Sequence, residues 1–443
     1  MKRGAVVVAL AALAGCNLVA AIAAPNIKSV TVVVPAGLLV GETAQADHHA
    51  FGDDGKDHLG RPVKWKSSDP TALSIDGDGK MVALIGGRTV KISAEVEGTT
   101  GSAMVAVASG DNRLGYALAD QPTAPTTYEP DAATRYNSSG GAIDVTRSAM
   151  GVYSVRFAGL GRLPGQRDNV QVTAYNGTLA VYCKPATWDA AGADLRVTVD
   201  CLTPNGVAVD SRFTVLALGA WAIGRAEPVG FLLNVVDANQ NLDSSATARN
   251  STGHHVAVGY NAEGNYSVNF DSLAATWAGR PAAFILSASG SGPRRCQIIA
   301  EDPTIPGFGI NCFQISGAAG NAPFSLLWLS HGRPSMRFGF ASPENPFTTS
   351  TYQVQAASAI NSSGGSVTSR RTSAGHYHVV FTGLARPAGA TETVLVAPLL
   401  WTIDRVCNTA SWGNSVNDLF VDVVCFANGG VATDTRFGVI VIQ

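Results

Sequence analysis

The chain has 443 residues, a formal net charge of -2, 14% charged and 46% hydrophobic residues, and 48 glycines. That length exceeds what one core normally organises and divides into several domains. The near-neutral charge excludes the basic stripe of a nucleic-acid binder and the acidic excess of a disordered chain. Few charges with much Gly, Val, Ala, Thr and Ser fit an all-β protein rich in turns.

Lys2 and Arg3 precede an apolar run over residues 5–13, the layout of a secretory signal. Leu13-Ala14-Gly15-Cys16 resembles a bacterial lipobox. That resemblance implies cleavage before Cys16 and lipidation of its thiol, and two or more acyl chains make a stable membrane anchor. Ala21-Ile22-Ala23 offers an ordinary cleavage site instead, and residues 4–24 are long and apolar enough for an uncleaved membrane helix. All three readings of residues 1–25 place the rest of the chain outside the cytoplasm, as an outer-membrane or cell-surface lipoprotein or a secreted or periplasmic protein.

Residues 27–108 form the first module. Val30-Thr31-Val32-Val33-Val34 opens a strand, and residues 89–97 alternate polar and apolar with the period of a half-buried strand. Between them stand Gly41-Glu42-Thr43, Val63-Lys64-Trp65-Lys66-Ser67-Ser68-Asp69-Pro70, Ile75-Asp76-Gly77-Asp78-Gly79 and Gly86-Gly87. In this order they resemble a group 2 bacterial immunoglobulin-like (BIG2) domain. The resemblance implies a small β-sandwich without catalytic residues, of the kind found in adhesins and as a spacer in secreted enzymes. It departs from the family pattern over residues 47–58.

An internal repeat fills the remainder. Asn137-Ser138-Ser139-Gly140-Gly141 recurs as Asn250-Ser251-Thr252-Gly253 and Asn361-Ser362-Ser363-Gly364-Gly365, 113 and then 111 residues on. Gly151-Val152-Tyr153, Gly264-Asn265-Tyr266 and Gly375-His376-Tyr377 keep the same offsets, and so do Cys183, Cys296 and Cys407. Three copies follow, over residues 111–219, 226–330 and 335–443. Leu195, Val197, Val199 and Cys201 share one strand face, as do Leu419, Val421, Val423 and Cys425. About seven short strands per copy predict tandem β-sandwich, immunoglobulin-like modules, with a barrel as the alternative. Similar repeats occur in exported bacterial β-proteins.

Cys16 apart, six cysteines remain, and an even number in an exported chain reads as disulfides. The repeat favours local pairing of Cys183 with Cys201, Cys296 with Cys312 and Cys407 with Cys425, each loop adding about 3 kcal/mol on the chain-entropy model. Zinc is the weaker reading, since no C-x2-C spacing occurs.

Motifs of common hydrolases and nucleotide binders are missing, and no His and no carboxylate pair recurs in all three copies. No catalytic residue, metal or cofactor is therefore assigned. His48, His49, Asp53, Asp54, Asp57 and His58 are a conceivable metal cluster, with a polar strand end and exposed loop as the preferred reading. Asp76-Gly77-Asp78-Gly79 reads as a hairpin turn rather than a calcium loop, because the closing Glu is absent. The Asn-Ser-Ser-Gly-Gly element reads as a glycine-requiring turn in preference to a binding loop. Trp188 and Trp412, each five residues after the first cysteine of its copy, are the candidate ligand-binding residues, with packing against the disulfide as the alternative. Asp210 with Arg212, and Asp434 with Arg436, read as exposed charge pairs.

The sequence thus predicts an exported, lipid-anchored cell-surface protein. Its modules would act in non-catalytic adhesion or ligand binding, with a surface glycan or an envelope or host protein as partner and no nucleic acid. A structural spacer of the envelope is the alternative, and a secreted hydrolase the distant third.

Overall fold

The computed structural model describes residues 25–39, 43–58, 60–85, 88–108, 113–162, 168–190, 192–219, 229–236, 242–243, 248–250, 256–271, 273, 281–302, 307–329, 337–399 and 402–443. Cys16 and the signal segment lie outside them, as do His254, His255 and His331. The chain is all-β and divides into two compact units, residues 1–108 and 109–443.

In the first unit Ile27–Val33 pairs with Asp47–Gly52, and Lys80–Ala83 lies between Thr43–Gln45 and Leu73–Ile75. A further sheet joins Gly37–Leu39, Thr99–Ala108, Arg88–Val96 and Lys64–Ser67 in that order. Val90, Ile92, Ala94 and Val96 all point inward, as their period of two requires. The two long strands turn on Glu97 and Gly98, with φ of 50° and 86°, the left-handed pair that a two-residue hairpin demands.

The second unit contains three copies of a two-sheet sandwich. In the first, an inner sheet orders Arg135–Asn137, Leu114–Ala119, Arg212–Gly219 and Asp168–Tyr175. Its outer sheet orders Ile143–Ala149, Val152–Phe157, Leu195–Leu202 and Tyr182–Asp189. The second and third copies repeat this, with Ala283–Ala288 and Thr393–Pro398 as counterparts of Asp168–Tyr175. Disulfides join Cys183 to Cys201, Cys296 to Cys312 and Cys407 to Cys425, each pair directly opposed on neighbouring antiparallel strands of an outer sheet.

The two sheets differ in burial. Leu195–Leu202 alternates between buried and accessible positions, whereas Ala283–Ala288, Phe324–Leu329 and Phe437–Ile442 are buried at every position. An inner sheet covers its own outer sheet with one face and the other two copies with the second, which is why its strands are buried on both faces. One cluster accordingly unites Leu216 and Leu218 of the first copy, Phe284 and Trp328 of the second, and Phe340, Leu395 and Ile440 of the third.

The contacts between copies run in a closed ring. Lys184, Gln297 and Asn408 each follow the first cysteine of their copy, and all three are buried. Lys184 Nζ donates to Gly290 O of the second copy, and Gln297 Nε2 to Ile403 O of the third at 2.9 Å. Asn408 Nδ2 donates to Leu179 O of the first copy at 3.0 Å, which closes the circle. Nearer the centre, Thr173 Oγ1 donates to Val396 O at 3.0 Å and accepts from Val396 N at 3.1 Å. Its counterpart Ser287 treats Val172 O and N in the same way, at 3.2 and 3.1 Å. The third counterpart is Ala397, which has no hydroxyl.

Asp210 and Asp434 correct the expectation of exposed charge pairs. Asp210 takes a bidentate contact from Arg147 at 2.9 and 2.8 Å, accepts from Gly151 N and meets the Tyr153 hydroxyl. Asp434 accepts from Arg371 Nε at 2.8 Å and likewise meets Gly375 N and the Tyr377 hydroxyl. Asn321 replaces the carboxylate in the second copy and keeps the Gly264 and Tyr266 contacts. The glycines are required: φ is near 70° in each, and a Cβ would stand 2.5 Å from the carbonyl of the second cysteine.

Because one apolar cluster and a closed ring of hydrogen bonds join the three copies, residues 109–443 are expected to unfold in one cooperative transition. Thr173→Val removes both bridging hydrogen bonds with little change of shape. It should destabilise that transition as a whole by about 1–2 kcal/mol, measured by calorimetry and chemical denaturation; melting of the first copy alone would contradict the shared core.

Candidate functional site

Chemically distinctive side chains lie at positions that differ between the copies. The solvent face of the outer sheet in the third copy stands out. His376–Phe381, Leu419–Ala427 and Arg405–Asn414 run side by side there, placing His378 opposite Asp422 and Asp422 opposite Ser411. His378 Nδ1 lies 2.7 Å from Asp422 Oδ1, and Ser411 Oγ donates to Asp422 Oδ2 at 2.6 Å. Partial burial works against the Asp422 carboxylate, but the bonds from His378 and Ser411 outweigh it and hold its pKa below the ordinary value.

One step along the strands, Phe420 faces Gly413, and its ring occupies the space where a Cβ on Gly413 would stand, 2.8 Å from Cζ. The His378 ring stacks beside Phe420, with centroids 5.8 Å apart and planes 28° apart. Arg370, opposite His378 on the next strand, is exposed. The result is a phenyl and imidazole ring pair bordered by a hydrogen-bonded carboxylate, a hydroxyl and a guanidinium.

This group is not a hydrolytic triad. In a triad the histidine stands between serine and carboxylate so that it takes the hydroxyl proton; here the carboxylate stands in the middle. Ser411 is an oriented donor to the carboxylate, and His378 is not placed to take its proton. The corresponding positions carry Ser154, Thr198 and Thr187 in the first copy and Ser267, Gly309 and Ala300 in the second. Phe420 corresponds to Arg196 and Gly307.

The residues singled out from sequence lie elsewhere. Trp412 is half-buried, packs on the third core and meets the edge of Tyr175 in the first copy at 5.1 Å, while Arg212 covers that tyrosine at 4.4 Å. Trp188 is half-buried against the first core. The second copy has Glu301 at this position, counting from Cys296 and by strand register. Trp412 and Glu301 stand beside seams between copies.

His48 is buried, edge-on to Trp65. His49 and His58 pair separately with Asp57 and Asp54, at 2.6 and 3.0 Å, and those carboxylates also cap backbone amides of the turn. The hydrogen bonds from these histidines lower both aspartate pKa values. No group of three metal-ligating side chains occurs among the described residues. Asp76 caps Asp78 N and Lys80 N in a hairpin. Asn137 Nδ2 ties Gly141 O to Ala158 O, and Ser139 also reaches Ala158 O. Asn361 and Ser363 repeat this with Thr382 O, so the Asn-Ser-Ser-Gly-Gly element is a structural clip.

At the centre of the ring lies a cavity of about 60 Å³, lined by the three disulfides, Thr173, Ser287, Lys184 and Arg405. It has room for about two waters, too little for an organic ligand. Burial pushes the Lys184 ammonium down to about 8.

No family model matches the chain, and no curated protein does. Among solved structures it is similar to domains 4 and 5 of the S-layer protein SbsC, at 14% identity and a TM-score of 0.18, covering 44% of this chain and 97% of that one. A likeness that slight assigns neither fold nor role.

Burial lifts the Glu301 carboxyl from 4.5 to about 7, with Arg436 of the third copy partly offsetting it. The folded protein therefore retains a proton that the unfolded chain releases across that window. Stability should fall as pH rises from 4.5 to about 7 and level off above. Glu301→Gln is expected to flatten this dependence and raise the melting temperature at pH 8, measured by thermal melts across pH; an unchanged slope would remove Glu301 as its source.

Proposed function

We propose that this chain is an exported cell-surface protein that binds a ligand without catalysis and is held to a membrane by lipid at Cys16. One observation carries the export reading. All six cysteines of the repeats are closed into disulfides beside the seams between copies, which an oxidising compartment sustains and a reducing cytoplasm does not. The Lys2-Arg3 start, the apolar run and the lipobox-like Leu13-Ala14-Gly15-Cys16 support it, and the BIG2-like pattern of residues 27–108 belongs with such surface proteins.

The binding reading rests on duplication. Glycine, tyrosine, the Asp or Asn corner and the disulfide recur in every copy and build the scaffold. Phe420, His378, Asp422 and Ser411 stand together in one copy alone.

A structural spacer is the second reading. The hairpins at residues 203–208, 314–319 and 427–432 meet around the buried Arg295–Asp404 pair, where Arg295 also reaches Pro204 O and Asn428. Beside them Leu179, Val207, Ile315, Ile403 and Val431 are exposed, and apolar groups gathered at one end suit packing against a neighbour.

Fractionation of the native host tests the export reading. The protein should sediment with membranes and resist alkylation at its six repeat cysteines until reduced, and Cys16→Ala should release it into the soluble exported fraction. Alkylatable thiols in freshly isolated protein would overturn it.

A further inference from the structure

We infer that the solvent face of the outer sheet in the third copy is a shallow saccharide site, in which Phe420 and His378 stack on a pyranose ring. Asp422, Ser411 and Arg370 bond its hydroxyls. The inference rests on the proposed ligand-binding role and names the ligand class for that face.

A pyranose has an apolar face of C–H groups and a rim of hydroxyls. Its complement is a flat aromatic surface beside fixed polar groups. Gly413, opposite Phe420, has no side chain, and the Phe420 ring reaches into the space a Cβ would take. His378 lengthens the platform, at 28° to the phenyl plane. Both oxygens of Asp422 are oriented, by His378 and Ser411, and an ionised carboxylate still has lone pairs for sugar hydroxyls. Arg370 supplies donors that a carboxylate cannot.

Folding does not call for these residues. Val379, Val421 and Val423, on the opposite face of the same strands, bury the sheet against the core. The equivalent faces hold Arg156 paired with Asp144 and Asp194 in the first copy, and Ser267 with Gly309 in the second. A protein partner would call for a broader apolar patch than one phenyl ring. A hydroxyl-rich ring of about that size fits.

The test uses the full-length protein with its disulfides formed, and chitotriose, cellotriose and maltotriose as probes, followed by saturation-transfer NMR and by retardation in gels containing the matching polysaccharides. At least one probe should bind saturably. Phe420→Ala should weaken it about tenfold or more, roughly the 1.4 kcal/mol of one lost stacking contact. Gly413→Ala, which keeps every ligand group but pushes the ring from its place, should weaken it too; Asp422→Asn should weaken it without altering the thermal melt. Trp188→Ala should leave it unchanged.

Absence of binding to all three probes by the folded protein would overturn the inference, as would binding that survives Phe420→Ala. Binding abolished instead by Trp188→Ala or Trp412→Ala would move the site to these tryptophans, overturning this inference while keeping the ligand-binding role. Membrane fractionation is independent of all these outcomes.

Discussion

The convergence of three strands on one centre is the constraint on which the second unit depends. Asp168–Tyr175, Ala283–Ala288 and Thr393–Pro398 are each paired with a strand of their own copy, Asp168–Tyr175 also bridging to Arg405–Asn414 of the third copy through Tyr175 and Thr409, and all three crowd one another near a common centre. The backbone of these strands is buried, and unpaired polar groups in such a place are costly. Thr173 and Ser287 answer this by bridging both the amide and the carbonyl of the adjoining strand with one hydroxyl. Ring closure is a geometric demand: the third copy must return to the first, and Asn408 reaching Leu179 O and Asn176 O completes it.

The disulfides make sense against that ring. Each lies immediately before the residue that reaches into the next copy, so the cross-strand bond fixes the outer strand where the seam is made. The copies are alike in architecture but not in seam chemistry. Trp412 packs on Tyr175 between the third and first copies, whereas Glu301 holds the same position in the second. A buried carboxyl where an aromatic ring stands elsewhere is a local weakness that burial turns into a pH response.

A scaffold closed in this way leaves the solvent faces of the outer sheets free to vary. Their buried faces are tied up in cores and their inner partners in the ring, so substitutions there cost little stability. The first copy uses that freedom for arginine–aspartate pairs, the second for small and amide side chains, and the third for the Phe420 patch with its ordered carboxylate. Loop elements that drew attention by recurring, such as Asn137 to Gly141, recur because the turn requires them.

The sequence by itself determined the β class, the three copies and the alternating strands of the outer sheets. Each of these follows from local periodicity or self-similarity, which needs no knowledge of distant contacts. The same reasoning identified Cys183, Cys296 and Cys407 as equivalent positions. The signal for the ring was present too, in the unbroken apolar runs at residues 215–218, 326–329 and 439–442, since a strand buried on both faces has no polar side to show. Only tertiary structure decided which copy each run would meet. It also turned Trp412 into a joint, and drew Asp210 and Asp434 away from Arg212 and Arg436 to Arg147 and Arg371. His378, Asp422, Ser411 and Phe420 are spread over more than forty residues on three strands, and no spacing rule marks them in the sequence. Their meeting is fixed by strand register, and register follows from which side of each strand the core has taken.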